Sequence, residues 1–376
     1  MKPLFLFAIT AIMIVACSND SELDDKTGPV AMNIGVLSSD VSNVATRSNY
    51  TLTGNTELQS NVGLYIYKHG TLTTTNSYGY GNELGTRGTT ANVTYGTEGD
   101  KADCTSVTAS IYYPDVKTQA VDIYAYAPHS SDAPTDLTST PTVAITTSAD
   151  QSSGYASDDY LFGKIVSETL LTADNCKAAK GGTATEGYTT GGAVVVPMDH
   201  KMSKVIVNLM VEGMTIDKIQ NATVKIYPDY SQATMSLLDG TITNSTTAGV
   251  NTTTGNEITL TTTLGTTDGT AVITAGKDGH PNTLGADNDK EGYSACGIIL
   301  PQTLSASHKF IGITLYETTS EYAYTPIALT LESGKVYTFN ITVTATGISV
   351  ATLVNNWAEG EWGTSTSPVT DTAVLQ

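Results

Sequence analysis

The sequence predicts an all-β protein organised as two tandem β domains, sandwiches or barrels rather than a parallel sheet. Three observations carry that prediction. Short segments of apolar–polar alternation recur along the chain, each closed by Gly, Pro, Asn or Ser, the pattern of half-buried strands joined by turns. The composition is rich in Thr, Gly, Ser and Tyr but holds only 5 Phe and 2 Trp among 376 residues, and Thr and Tyr suit pleated, half-exposed surfaces. No long stretch shows helical periodicity, and the length fits two domains once an export signal is set aside.

Ahead of the first domain the chain reads as a series of export and processing signals. Lys2 gives a positive start, and the apolar run Leu4–Ala16 matches a signal-peptide core while being too short for a bilayer, which takes about 20 residues. The run ends in Ile14-Val15-Ala16-Cys17, which resembles a bacterial lipobox. Residues 1–16 would then be the signal peptide and Cys17 the lipidated first residue of the exported chain. Ser18–Gly28 is polar and acidic, as expected of a tether. Val30, Met32, Ile34 and Val36 then alternate with Ala31, Asn33 and Gly35, predicting a strand with one buried face. Ala45-Thr46-Arg47-Ser48 follows in a polar neighbourhood where nicking is easy. Arg47 and Arg87 are the only two arginines, so an arginine-specific protease would have two places to cut.

Residues 48–192 read as the first β domain. Val62, Leu64 and Ile66 alternate with Gly63, Tyr65 and Tyr67 before a turn at His69-Gly70. Ser106–Tyr113 and Ala120–Ala127 are strands closed by Pro114 and Pro128. Thr71–Val93 reads as a loop, and Thr169–Lys180 as a segment with a short helical turn. Ala193–Pro197 opens the second domain, residues 193–346. Its strands are expected at Val205–Val211, Ala222–Tyr227, Thr234–Leu238, Glu257–Leu264, Thr270–Thr274, Gly297–Leu300, Phe310–Tyr316 and Ala323–Leu331. The clearest alternation is Tyr337, Phe339, Ile341, Val343 and Ala345. At Gly347 the phase flips, and Ile348, Val350 and Val354 lead on to Trp357; a flip at glycine fits a bulge or a strand leaving its sheet. Residues 347–376 therefore read as a further strand and a polar tail.

No chemistry stands out. His69, His129, His200, His280 and His308 lack metal spacing, and no HExxH, GxSxG or P-loop motif occurs. Asp287-Asn288-Asp289 has part of a calcium-loop pattern but reads as a solvated loop. No catalytic residue, metal or cofactor is assigned, and the chain is read as not an enzyme. A net charge of −19 argues against nucleic acid as a partner and suits a soluble extracellular surface. Beyond Cys17 the chain has Cys104, Cys176 and Cys296. These allow one disulfide, with Cys104 and Cys176 the candidate pair because both fall in the first half.

Several of these features, in this order, are similar to the fimbrillin family. They are the Cys17 lipobox, the strand Val30–Val36, Arg47, the His200-Lys201-Met202-Ser203-Lys204-Val205 entry to the second domain, and Gly334-Lys335-Val336-Tyr337 with the run to Trp357. Fimbrillins are lipoprotein pilins of anaerobic Gram-negative bacteria, and the resemblance covers nearly the whole chain. It implies a transthyretin-like fold for both sandwiches, with a removable N-terminal strand and a C-terminal donor strand. It also implies an acylated (palmitate-type) precursor at the outer membrane and a cut between Arg47 and Ser48 by an arginine-specific protease. Residues 17–47 would leave with the strand of Val30, Met32, Ile34 and Val36. A strand from another copy would fill the vacated groove, with Ile348, Val350, Val354 and Trp357 as the donor set. The expectation is a shaft subunit of an adhesive cell-surface fimbria, bound to other copies, other fimbrial subunits and a host or bacterial ligand. The alternatives are a tip or anchor subunit, or an anchored polysaccharide-binding lipoprotein with tyrosine platforms around Tyr65 and Tyr67 or Tyr322 and Tyr324.

Overall fold

A computed structural model describes residues 34–38, 62–70, 72, 91–96, 103–106, 113, 118–134, 137–152, 158–168, 170–175, 194–215, 218–219, 222–246, 256–261, 292–304, 308–326, 328–356 and 369–374. Among these the chain is almost wholly β, with one helical turn at 173–175 inside the segment where a turn of helix was expected.

Among the described residues, eight strands occupy the first half. They are β1 (Ile34–Ser38), β2 (Val62–Lys68), β3 (Ala91–Gly96), β4 (Asp103–Ser106), β5 (Val121–Ala127), β6 (Thr142–Thr146), β7 (Leu161–Ile165) and β8 (Val194–His200). Seven of them form a closed barrel in the order β1-β4-β3-β2-β5-β7-β8. The alternation in β2 and β5 supplies two buried faces rather than one, because every residue of β5 is buried. On one face Tyr65, Tyr67, Tyr124 and Tyr126 join a core shared with the second half. Their hydroxyls are tied down: Tyr65 donates to the Pro134 carbonyl at 2.5 Å, and Tyr67 accepts from the Leu137 N–H at 2.7 Å. Burial, helped by the neighbouring Asp122 charge, pushes the Tyr124 phenol up to about 12.

Thirteen further strands follow among the described residues. The first are β9 (Ser203–Val211), β10 (Thr223–Ile226), β11 (Gln232–Ser236), β12 (Ile242–Asn244), β13 (Ile258–Thr261) and β14 (Gly292–Ile299). Then come β15 (Gln302–Thr303), β16 (Ile311–Thr314), β17 (Glu321–Tyr324), β18 (Thr330–Leu331), β19 (Lys335–Thr344), β20 (Gly347–Asn356) and β21 (Val369–Val374). A five-stranded sheet, β14-β9-β19-β20-β21, packs on a four-stranded sheet, β13-β10-β16-β17. Their shared core takes alternate residues from each strand: Val205, Val207 and Leu209 from β9, Tyr337, Phe339, Ile341 and Val343 from β19, and Ile311 and Ile313 from β16.

The two halves are joined by more than a linker. β8, expected to open the second domain, pairs with β7 and β1 in the barrel, because Val196, Met198 and His200 turn inward while Pro197 and Asp199 stay exposed. The strand-to-strand handover falls instead at Lys201-Met202, between β8 and β9. β6, not foreseen in the sequence, pairs with β11 of the second half over five residues, with Val143 and Ile145 buried and Thr142, Ala144 and Thr146 exposed. The proposed tyrosine platforms are overturned: Tyr65, Tyr67, Tyr322 and Tyr324 are all buried, since their strands are covered on the face that alternation alone leaves open. Thr270–Thr274 lies outside the described residues.

β7 and β8 approach closely at Gly163, where an added Cβ would sit 2.0 Å from the Pro197 carbonyl oxygen. That atom is backbone and cannot swing aside. Gly163→Ala should therefore destabilise the protein by about 2 kcal/mol, within the range for overpacking, seen as a lower urea midpoint. An unchanged midpoint would contradict the close approach.

Candidate assembly interface

The barrel is closed by a single short strand near the N-terminus. β1 lies parallel to β8 over five residue pairs, Ile34↔Val194 to Ser38↔Met198, and meets β4 antiparallel at Ile34↔Cys104. Removing β1 would leave a slot between β8 and β4. In an extended strand the N–H and C=O of one residue point to the same edge. Pro197 directs its carbonyl at Gly163 of β7, so its missing N–H also falls on the β7 side. The edge of β8 that faces β1 thus keeps its donors at Val196 and Met198, whose side chains are fully buried.

The C-terminal strands lie in the other body. β20 is paired on both sides, with β19 over ten residues and with β21 over six. Ile348 and Val350 are buried in the sandwich core, whereas Val354 is 44% exposed. β21 pairs with β20 alone and forms the sheet edge; it occupies part of the stretch read from sequence as a polar tail. Slot and C-terminal strands therefore sit in different sheets of one chain.

Of the other residues singled out from sequence, Ile34 and Val36 lie in β1 and Cys104 in β4. Cys17, Val30, Met32, Arg47, Ser48, Cys176 and Trp357 lie outside the described residues, as does any Cys104–Cys176 pairing. Cys296 is buried in β14. Among the described residues there is no group of three or more His, Cys, Asp and Glu placed to hold a metal ion. Nor is any helix among them long and apolar enough to cross a membrane.

A family of proteins described as fimbrillin-like matches residues 46–357. The chain belongs to this family. This fimbrillin-like chain is accordingly a fimbrial subunit, part of a cell-surface appendage, associated with other fimbrial subunits and structural in role. A comparison with curated proteins finds no match. Among solved structures, a candidate cell adhesion protein from Bacteroides uniformis is 18% identical, with a TM-score of 0.52 over 88% of this chain and 99% of its own. One from Bacteroides ovatus is 16% identical, with a TM-score of 0.55 over 88% and 98%. Both share its fold. The tip fimbrial protein Mfa3 from Porphyromonas gingivalis is 8% identical, with a TM-score of 0.41 over 88% and 100%.

In this fimbrillin-like chain the slot wall is fixed to the second body by a buried polar junction. His200, the last residue of β8, meets Asp159 through Nδ1 at 2.8 Å, and their side chains are 1% and 0% exposed. The next residue, Lys201, donates its N–H to the Tyr160 carbonyl at 2.8 Å, and its ammonium lies 5.9 Å from the centre of the Phe162 ring. Ser333 Oγ donates to the Lys201 carbonyl, and Ser203 Oγ to the Glu332 carbonyl. At the far edge, Gln151 donates to the Ile298 carbonyl and accepts from its N–H, so a side chain completes the edge of β14. The same amide donates to Asp158, which also accepts from Ser148.

A half-removed buried polar pair is costly, because the remaining group keeps its desolvation penalty without its partner. His200→Ala should cost about 3 kcal/mol in urea denaturation, and adding Asp159→Leu to His200→Leu should recover part of that loss. Strictly additive losses from the two sites would contradict a coupled pair.

Proposed function

We propose that this chain is a shaft-type fimbrial subunit that polymerises by donor-strand exchange. It would travel to the outer membrane as a precursor acylated at Cys17. A cut between Arg47 and Ser48 by an arginine-specific protease would free β1, the strand of Ile34 and Val36. The observation that carries this reading is that β1 completes the closed barrel and is the one described barrel strand ahead of Arg47, so one cut on its C-terminal side makes the closure removable.

Once β1 leaves, the β8 edge faces water or a partner with its hydrogen-bonding groups unpaired, and a replacement strand is strongly favoured. The donor is assigned to residues 347–376, with Ile348, Val350, Val354 and Trp357 as its apolar set. In the free subunit β20 rests in its own sheet, and β21, paired on one side only, is the first strand able to let go. Each medium apolar side chain re-buried in a neighbour's slot recovers roughly 1.5–3 kcal/mol, so the exchange is nearly balanced for the donor and favourable for the slot. Because slot and donor lie in different bodies, the contact is head-to-tail and does not close, which gives a filament.

Surface-shed subunits should begin at Ser48, and Arg47→Ala should leave them lipidated and unassembled. A Thr342→Cys/Ser349→Cys disulfide, at paired positions of β19 and β20, should abolish heat-sensitive ladders on denaturing gels until it is reduced. Ladders from the oxidised protein would remove β20 as donor. A retained Cys17 on every surface molecule would remove the shaft role.

A further inference from the structure

We propose that the parallel ladder between β9 and β19 is a mechanical clamp that carries tension from one end of the subunit to the other. The proposal rests on the fimbrial reading for the source of the tension and on the strand geometry for the clamp itself. A neighbour seated beside β8 would pull on a strand that runs into β9 after only Lys201 and Met202. A donor beginning at β20 would pull on β19 through Ala345 and Thr346. Since β9 and β19 run parallel, with Lys335 opposite Ser203 and Val343 opposite Val211, the two loads act at opposite ends of one ladder. They slide the strands lengthwise and strain all the cross-strand bonds together. An antiparallel pair loaded in the same way would open one bond at a time, like a zip.

The ladder is built to resist sliding. It spans nine residue pairs in the middle of the five-stranded sheet of the free subunit, and β14 still flanks its β9 side once β20 has left as donor. It is prolonged past both ends, by Gly334 N–H to the Met202 carbonyl and by Glu212 N–H to the Val343 carbonyl, each at 2.9 Å. On one face Val205, Val207 and Leu209 with Phe339, Ile341 and Val343 keep water from its bonds. On the other face Asn208 and Asn340, themselves a ladder pair, add a buried side-chain bond of 2.8 Å between the same two strands. Water-shielded bonds are slow to exchange for hydration, so breaking them together is far slower than breaking them in turn.

The test pulls single, unpolymerised full-length chains between handles clicked to azide-bearing residues. One pair replaces Asp199 and Thr346 and loads the clamp lengthwise; the other replaces Asp199 and Glu332 and peels it from one end. All three positions are exposed, so the fold is kept in both versions. The lengthwise version should rupture at a force several-fold higher than the peeled one. Equal forces overturn the clamp even if the chain polymerises by strand exchange. A high lengthwise force in a chain that never forms ladders keeps the clamp and overturns only its place in a fibre.

Discussion

Closure of the first barrel depends on five residue pairs between β1 and β8. Apart from the single β1–β4 pair at Ile34↔Cys104, every other contact between barrel neighbours joins strands that lie downstream of Arg47 in the chain. β1 is different in being both essential to closure and separable from the rest by one backbone cut. It also aligns parallel to its long neighbour, so it is not the second arm of a hairpin and no tight turn binds it to β8. A strand paired to the barrel by its ladder can be replaced by another of similar pattern without refolding the barrel.

The remainder of the molecule keeps that slot in shape. β8 is anchored at its far end by His200 and Asp159, whose carboxylate and imidazole are removed from water together. Immediately afterwards the chain becomes the second strand of the five-stranded sheet. The pairing of β6 with β11 and the tyrosine-rich core add two further attachments between the bodies. A subunit fastened in this way transmits a load or a displacement without a hinge between its halves, which suits a stiff fibre better than a string of loosely linked domains.

Much of the fold was legible in the sequence where alternation was strict. β2, β5, β9, β19 and β20 fall on the segments where period-two patterns are plain: the first four bury alternate side chains along their length, and β20 buries Ile348 and Val350 while Val354 is exposed. β6 was missed because Thr142-Val143-Ala144-Ile145-Thr146 has only two large apolar side chains and sits among Ser, Thr and Pro. β21 was missed for a similar reason: Val369-Thr370-Asp371-Thr372-Ala373-Val374 looks polar, and an edge strand needs little apolar surface. The place of β8 was not legible at all. Its pattern fits either body, and only long-range pairing decides between them. Tyrosine positions misled for a physical reason, since a phenol serves equally on a wet face and in a core where its hydroxyl finds a carbonyl.

The central claim is that β1 occupies the place a neighbour's strand must enter. Ile34 and Cys104 are register partners across β1 and β4, so Ile34→Cys, in a Cys176→Ser background, allows a disulfide that staples β1 into the barrel. After a cut at Arg47 the oxidised protein should hold its N-terminal fragment and yield no ladders, and reduction should release the fragment and start assembly. Ladders that form equally well with the staple intact would contradict the account.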